Sequence, residues 1–132
     1  MLQLAATRGR LMELLAERVQ PRNREFSDQA FMVGIMSLMP ALLGMTIEDI
    51  LAQLPVAQRV KQALTDHGGQ QGHLLHLAET TEETDPDLLE EARNRLPGIT
   101  AEFLADCLTQ ALSWANNLGQ EREEHDGDEA IA

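Results

Sequence analysis

The side chains best suited to chemistry in this 132-residue chain are four histidines, one cysteine, two serines set in apolar runs, and a group of arginines near the N-terminus. His73, His76 and Glu79 follow one another at three-residue intervals. On a helix that spacing puts two imidazoles and a carboxylate on one face, an arrangement metal sites use. No second ligand-bearing stretch accompanies them, and acids abound in this half of the chain, so solvent-facing polar positions are the better reading of His73 and His76. His67 stands beside Asp66 and before two glycines, where the helix macrodipole favours a terminal histidine. His125 and Asp126 are neighbours in an acidic stretch, a chance pairing. Ser37 and Ser113 have no base nearby in sequence, and a helix-internal serine ordinarily bonds back to the preceding turn. Cys107, on an apolar helical stretch, reads as a buried, inert thiol. Gly68-Gly69 is a joint rather than a phosphate loop, since no strand precedes it. Met32, Met36 and Met39 are spaced as core filler. Arg8, Arg10, Arg18, Arg22 and Arg24 form the one basic cluster; solvated helix-surface arginines are the common case, and Arg8, Arg10 and Arg18 are the candidates for an interaction surface. No catalytic residue, metal site or cofactor emerges.

The elements that must position these residues are helices. Hydrophobic residues make up 43% of the chain but aromatic ones only 3%, with no tyrosine. The core is therefore aliphatic and Met-rich, which suits helices better than sheets. The length fits one domain, or the larger part of one. The longest purely apolar stretches run a few residues, short of the ~20 that cross a bilayer, and no secretory leader pattern opens the chain. A single cysteine excludes an intrachain disulfide and points to a reducing cytoplasm. Residues 1–64 carry seven Arg or Lys against six Asp or Glu, whereas residues 65–132 carry three against sixteen. Such an acidic second half disfavours nucleic acid, and it is either a solvated surface or a docking face for a basic protein partner.

Leu4, Leu11, Leu14, Leu15 and Val19 predict a first amphipathic helix over about 3–20. Gln20-Pro21-Arg22-Asn23 breaks it, and Ser27 is a plausible N-cap for the second helix. That helix is apolar nearly all round from Ala30 to Leu43, so it belongs in the middle of the domain. Gly34 within it implies a close neighbouring backbone, and Pro40 kinks or ends its straight part. Thr46 with Asp49 caps a short helix. Pro55 opens the next, with Val56, Val60 and Leu64 inward. Gly68, Gly69 and Gly72 form a loose connection to GHLLHLAE. Asp85-Pro86 starts a helix through Leu96 that Pro97-Gly98 ends. Thr100 caps the last helix, lined on one side by Phe103, Leu104, Cys107, Leu108, Ala111, Leu112 and Leu118. The charged run beyond Gly119 is expected to be disordered. The expectation is an all-α compact bundle of six to seven helices over 1–119 with a disordered acidic tail at 120–132.

Four stretches, RGRLMELLAE (8–17), QAFMVGIMSLMPALLGMTIEDILAQLP (29–55), VAQRVKQAL (56–64) and LSWANNL (112–118), together resemble the HDOD domain. This is the signalling branch of the HD phosphohydrolase superfamily, here in the form found C-terminal to EAL domains in bacteria. In catalytic HD proteins the helix corresponding to AFMVGIMSLMPALL carries a His-Asp metal-binding pair after a glycine and two apolar residues. Here Gly34, Ile35 and Met36 are followed by Ser37 and Leu38, so both ligands are missing. The upstream histidine of those enzymes falls near Gly9 to Met12, which holds none. Leu cannot bind a hard cation and Ser is a poor substitute for imidazole; without a metal there is no activated water. The resemblance therefore implies an HD-like, non-catalytic regulatory module in cyclic di-GMP signalling. It also implies an attached EAL domain or protein partner, no membrane, and self-association as a homodimer if apolar surface is left uncovered. The enzyme alternative is a metal-dependent phosphohydrolase with relocated ligands drawn from His67, His73 and His76.

Overall fold

The computed structural model describes residues 2–131, and side chains for residues 2–118; the tail expected to be disordered, 120–132, lies outside these fully described residues. The described residues are all-helical, as the composition required. Eight helices follow in order: α1 (Leu2–Val19), α2 (Arg24–Met36), α3 (Met39–Leu43), α4 (Ile47–Gln53), α5 (Gln58–Asp66), α6 (Gly69–Thr80), α7 (Pro86–Asn94) and α8 (Ala101–Ile131). α1 packs along α2, α8 and α6, while α6 also touches α2, α5 and α7. The core thus lies between α1, α2 and α6, built on Phe26, Leu11, Met12, Leu15, Val33 and Leu74. Each of these large side chains contributes about 1.5–3 kcal/mol by leaving water.

The local signals account for three helix starts, those of α4, α7 and α8, whereas α5 begins at Gln58 with no side-chain cap, three residues beyond Pro55. The Thr46 hydroxyl accepts from the Asp49 N–H at 3.1 Å. The Asp85 carboxylate takes the Asp87 and Leu88 N–H groups at 3.0 and 3.4 Å, and the Thr100 hydroxyl takes that of Phe103. Each satisfies an N–H that the first helical turn leaves without a partner. The second helix starts a turn earlier than Ser27 implied. Asn23 caps it, with Oδ1 accepting from the Phe26 N–H at 3.1 Å. Asparagine caps as well as serine does, and Arg22 takes a left-handed conformation, φ 65°, to turn the chain into it. Ser27 is left buried inside the first turn, its hydroxyl 3.4 Å from the Asn23 carbonyl.

The run expected to be one central helix is two. Pro40 lacks an N–H, and its ring would clash with the carbonyl four residues back. The chain therefore leaves α2 after Met36, the Leu38 N–H reaching back to the Ile35 carbonyl at 3.3 Å, and Pro40 occupies the first turn of α3. This division is the source of the eighth helix. Arg24–Leu43 is, by composition and length, the one stretch among the described residues able to span a membrane; the break leaves α2 at 13 residues and α3 at 5, each below the ~20 a span requires. Nor is the run enclosed throughout: α3 buries no residue, and Met32, Leu42 and Leu43 are exposed. Leu4 on α1 and Leu112 and Leu118 on α8 are exposed as well, contrary to the faces assigned from spacing; Leu104, Cys107 and Ala111 are buried on α8 as expected, and Ala115 joins them.

Two glycines fix close backbone crossings. A Cβ on Gly34 would lie 2.6 Å from the Gly9 Cα and 2.8 Å from the Gly9 nitrogen, so α1 and α2 meet backbone to backbone, as Gly34 implied. A Cβ on Gly72 would lie 2.0 Å from the carbonyl carbon of His67. His67 ends α5 in a left-handed conformation, φ 57°, and this folds its carbonyl over the first turn of α6. The glycines at 68–72 thus form a tight packed joint, not a loose connection, and α6 begins at Gly69.

Candidate functional site

Close packing at Gly9 and Gly34 brings α1 within side-chain reach of the α2–α3 break, and a polar network occupies that crossing. Arg8, on the turn of α1 next to Gly9, is only 8% exposed. Its Nε and Nη2 donate to the two carboxylate oxygens of Glu82 at 2.9 and 2.6 Å, and its Nη1 donates to the Ser37 Oγ at 2.9 Å. Bidentate guanidinium–carboxylate pairing is the strongest side-chain geometry available to this charge pair. Glu82 lies on the connection after α6 and is 30% exposed, so the pair ties the α6–α7 connection to α1 and α2. Ser37 in turn donates its one proton to the Gly34 carbonyl at 2.7 Å. With that proton committed and a cation on its lone pair, the hydroxyl is held in place rather than activated. Leu38 beside it is buried against the core.

Arg8 is thereby corrected from a surface candidate to a buried, fully paired group. Its partner stands 74 residues away in sequence, and nothing in local spacing links the two. Glu82 was not singled out from the sequence for the same reason. Arg10 and Arg18 do lie toward solvent, but neither is free. Arg10 donates to Glu13 at 2.6 Å and sits 5.8 Å from the Trp114 ring centre; Arg18 lies 4.4 Å from the Phe103 ring centre and donates to the Gly98 carbonyl at 3.1 Å. These contacts glue α1 to α8 and to the turn before it, each cation–π contact contributing about 0.5–1 kcal/mol at exposed sites.

The histidine stripe is sorted differently from its spacing. His73 and His76 are half-buried on α6. His76 faces the His67 ring edge-on at 6.1 Å, and His67 Nε2 lies 2.7 Å from a Glu79 oxygen. His67, at the α5 terminus as the macrodipole argument expected, thus joins His76 and Glu79, while His73 takes no part in these contacts. Among the described residues no three His, Cys, Asp or Glu side chains come together in a group able to hold a metal ion. Ser113 is exposed on α8, and Cys107 is 2% exposed, its thiol pKa pushed up by burial and by the adjacent Asp106 carboxylate.

Two known proteins match the chain along most of its length. Over 117 residues, 89% of the chain, it is 31% identical to the protein YuxH of Bacillus subtilis. Over 117 residues it is likewise 32% identical to the cyclic di-GMP phosphodiesterase CdgJ of Vibrio cholerae. The matched region is 27% of the first relative and 26% of the second, so the chain spans about a quarter of the length of the curated relatives it matches. No family model matches the chain, and no solved structure matches it. The chain is therefore related to YuxH and CdgJ through a region that makes up about a quarter of each.

Proposed function

We propose that the chain is a non-catalytic regulatory module of the HDOD type in bacterial cyclic di-GMP signalling, acting in the cytoplasm through contacts with an attached EAL domain or a protein partner. The observation that carries this reading is the Arg8–Ser37–Glu82 network. In catalytic HD proteins the positions of Ser37 and Leu38 hold metal ligands. Here a buried guanidinium is bonded to Ser37, and a fixed positive charge at that distance opposes a divalent cation. Relatedness to a protein named as a cyclic di-GMP phosphodiesterase supports the signalling context. Because only about a quarter of that protein is matched, the hydrolytic activity in its name is assigned here to the unmatched part.

The test is metal content and turnover. Purified chain is expected to carry no stoichiometric metal and to hydrolyse neither cyclic di-GMP nor a generic phosphodiester. Stoichiometric metal, with turnover lost on His73→Ala, would overturn the proposal in favour of a phosphohydrolase with relocated ligands.

A further inference from the structure

The excursion that carries α7 is thinly held by apolar contact. Its extensive packing among the described residues is with α6. Of the nine residues of α7 only Ala92 is buried; Leu89 is half-buried against the core and Leu88 is exposed. Charge does not favour the closed position either. Residues 82–91 hold six carboxylates and no Arg or Lys, and Asp87 stands three and four residues from Glu90 and Glu91 on the same helix, where like charges repel. Glu91 is met by Arg95 at 3.4 Å, a pair internal to the segment that ties it to nothing else.

Two ties fix the ends. On the C-terminal side Leu96 and Ile99 are buried, and Arg93 Nη1 donates to the Ile99 carbonyl at 3.2 Å. Gly98, at φ 74°, turns the chain there. These contacts are local, and they hold the foot of the segment without holding α7 down. On the N-terminal side Glu82 pairs with Arg8, the one side-chain bond from residues 82–94 to a distant part of the described fold. Arg8 has a single other partner, the neutral Ser37 hydroxyl. If Glu82 leaves, a buried guanidinium loses its counter-charge, which is strongly unfavourable. The demand of that buried cation, more than contact made by α7 itself, keeps the segment shut.

We propose that residues 83–94 form a flap, latched by the Arg8–Glu82 pair, that opens as a unit about the Pro97-Gly98 turn and uncovers the α6 flank on which Ala92 and Leu89 rest. Release of one charge pair at the base of a segment with little buried surface is the kind of local opening that folded proteins sample below their global unfolding. Because Arg8 also holds Ser37 at the α2–α3 break, one side chain links the state of the flap to that break.

The test is native-state amide hydrogen exchange on the whole chain. Amides of 89–94 are expected to be at least about tenfold less protected than the slowest amides of α1 and α2. Adding 1 M urea should speed them less than about twofold, while the slowest amides of α1 and α2, which open with the whole fold, should speed about thirtyfold. Glu82→Ala is expected to speed exchange at 89–94 by about ten- to thirtyfold, with the weak urea response retained. Glu90→Ala removes an exposed acid from the same helix but leaves the latch, and should change those rates less than about twofold. Amides at 89–94 that share the protection and urea response of α1 and α2 would overturn the flap, a result read on the native chain without any variant. An effect of Glu82→Ala no larger than that of Glu90→Ala would overturn the latch.

Discussion

Removing the Glu82 carboxylate should cost more than removing its partner, because the two ends of the pair differ in access to water. Arg8 is 8% exposed and Glu82 30%. In Glu82→Ala the guanidinium stays buried with one neutral partner, Ser37, and loses two short charge-assisted bonds of 2.9 and 2.6 Å. Breaking a fully buried pair costs about 3–5 kcal/mol, and an exposed pair contributes about 0.2–1 kcal/mol. The observed exposures place Glu82→Ala between these limits, at about 2 kcal/mol. In Arg8→Met the stem volume is kept and Glu82 can turn to solvent, so the loss should be nearer 1 kcal/mol. The double variant should resemble Arg8→Met alone, giving a coupling energy of about 2 kcal/mol. For a denaturant slope of about 2 kcal/mol/M, Glu82→Ala then lowers the urea midpoint by about 1 M. Urea unfolding followed by far-ultraviolet circular dichroism on the four proteins of the cycle measures this directly. A coupling energy below about 0.5 kcal/mol would refute the reasoning, since the pair would then behave as an ordinary surface ion pair. Ser37→Ala, which leaves Arg8 its carboxylate, should cost about 1 kcal/mol.

Gly34→Ala should destabilise the chain by about 1–3 kcal/mol despite a gain of about 1 kcal/mol in helix propensity, because its Cβ would meet the Gly9 backbone at 2.6 Å and only helix separation relieves that. Gly9→Ala should cost less, since two of its three nearest contacts, at 3.1 Å, are with the flexible Ile35 side chain; thermal unfolding of the two variants should rank them in that order. Burial, aided by Asp106, raises the Cys107 pKa in the folded chain, so the unfolded thiol ionises first. The contribution of this thiol is fully present below the ordinary thiol value of about 8.5 and declines as the pH rises through the folded value. Urea midpoints of the native chain should therefore fall more steeply above about pH 8.5 than those of Cys107→Ala; parallel profiles would contradict the shift.

The sequence by itself determined the features whose causes are local. The all-helical class follows from an aliphatic composition with period-3.6 patterning, and the caps at Thr46, Asp85 and Thr100 follow because a side chain bonds an N–H two or three residues on. The break near Pro40 was legible for the same reason, as was a close crossing at Gly34. Ser27, the cap expected from the sequence, is not the one used: Asn23 is as good a cap by residue type, and the turn at Arg22 places the helix start there. Buried polar residues belong to the other class. Arg8 reads locally as one of five surface arginines, and only the approach of α1 to α2 through Gly9 and Gly34, with the α6–α7 connection folded over them, buries it on Glu82 and Ser37. Gln71 reads as one glutamine in a polar, glycine-rich joint, and it is buried with its amide bonded only because α2 lays the Phe26 carbonyl against α6. A helical pattern records which residues share a face. Which face another helix covers, and whose charge waits there, is decided by packing between segments far apart in the chain.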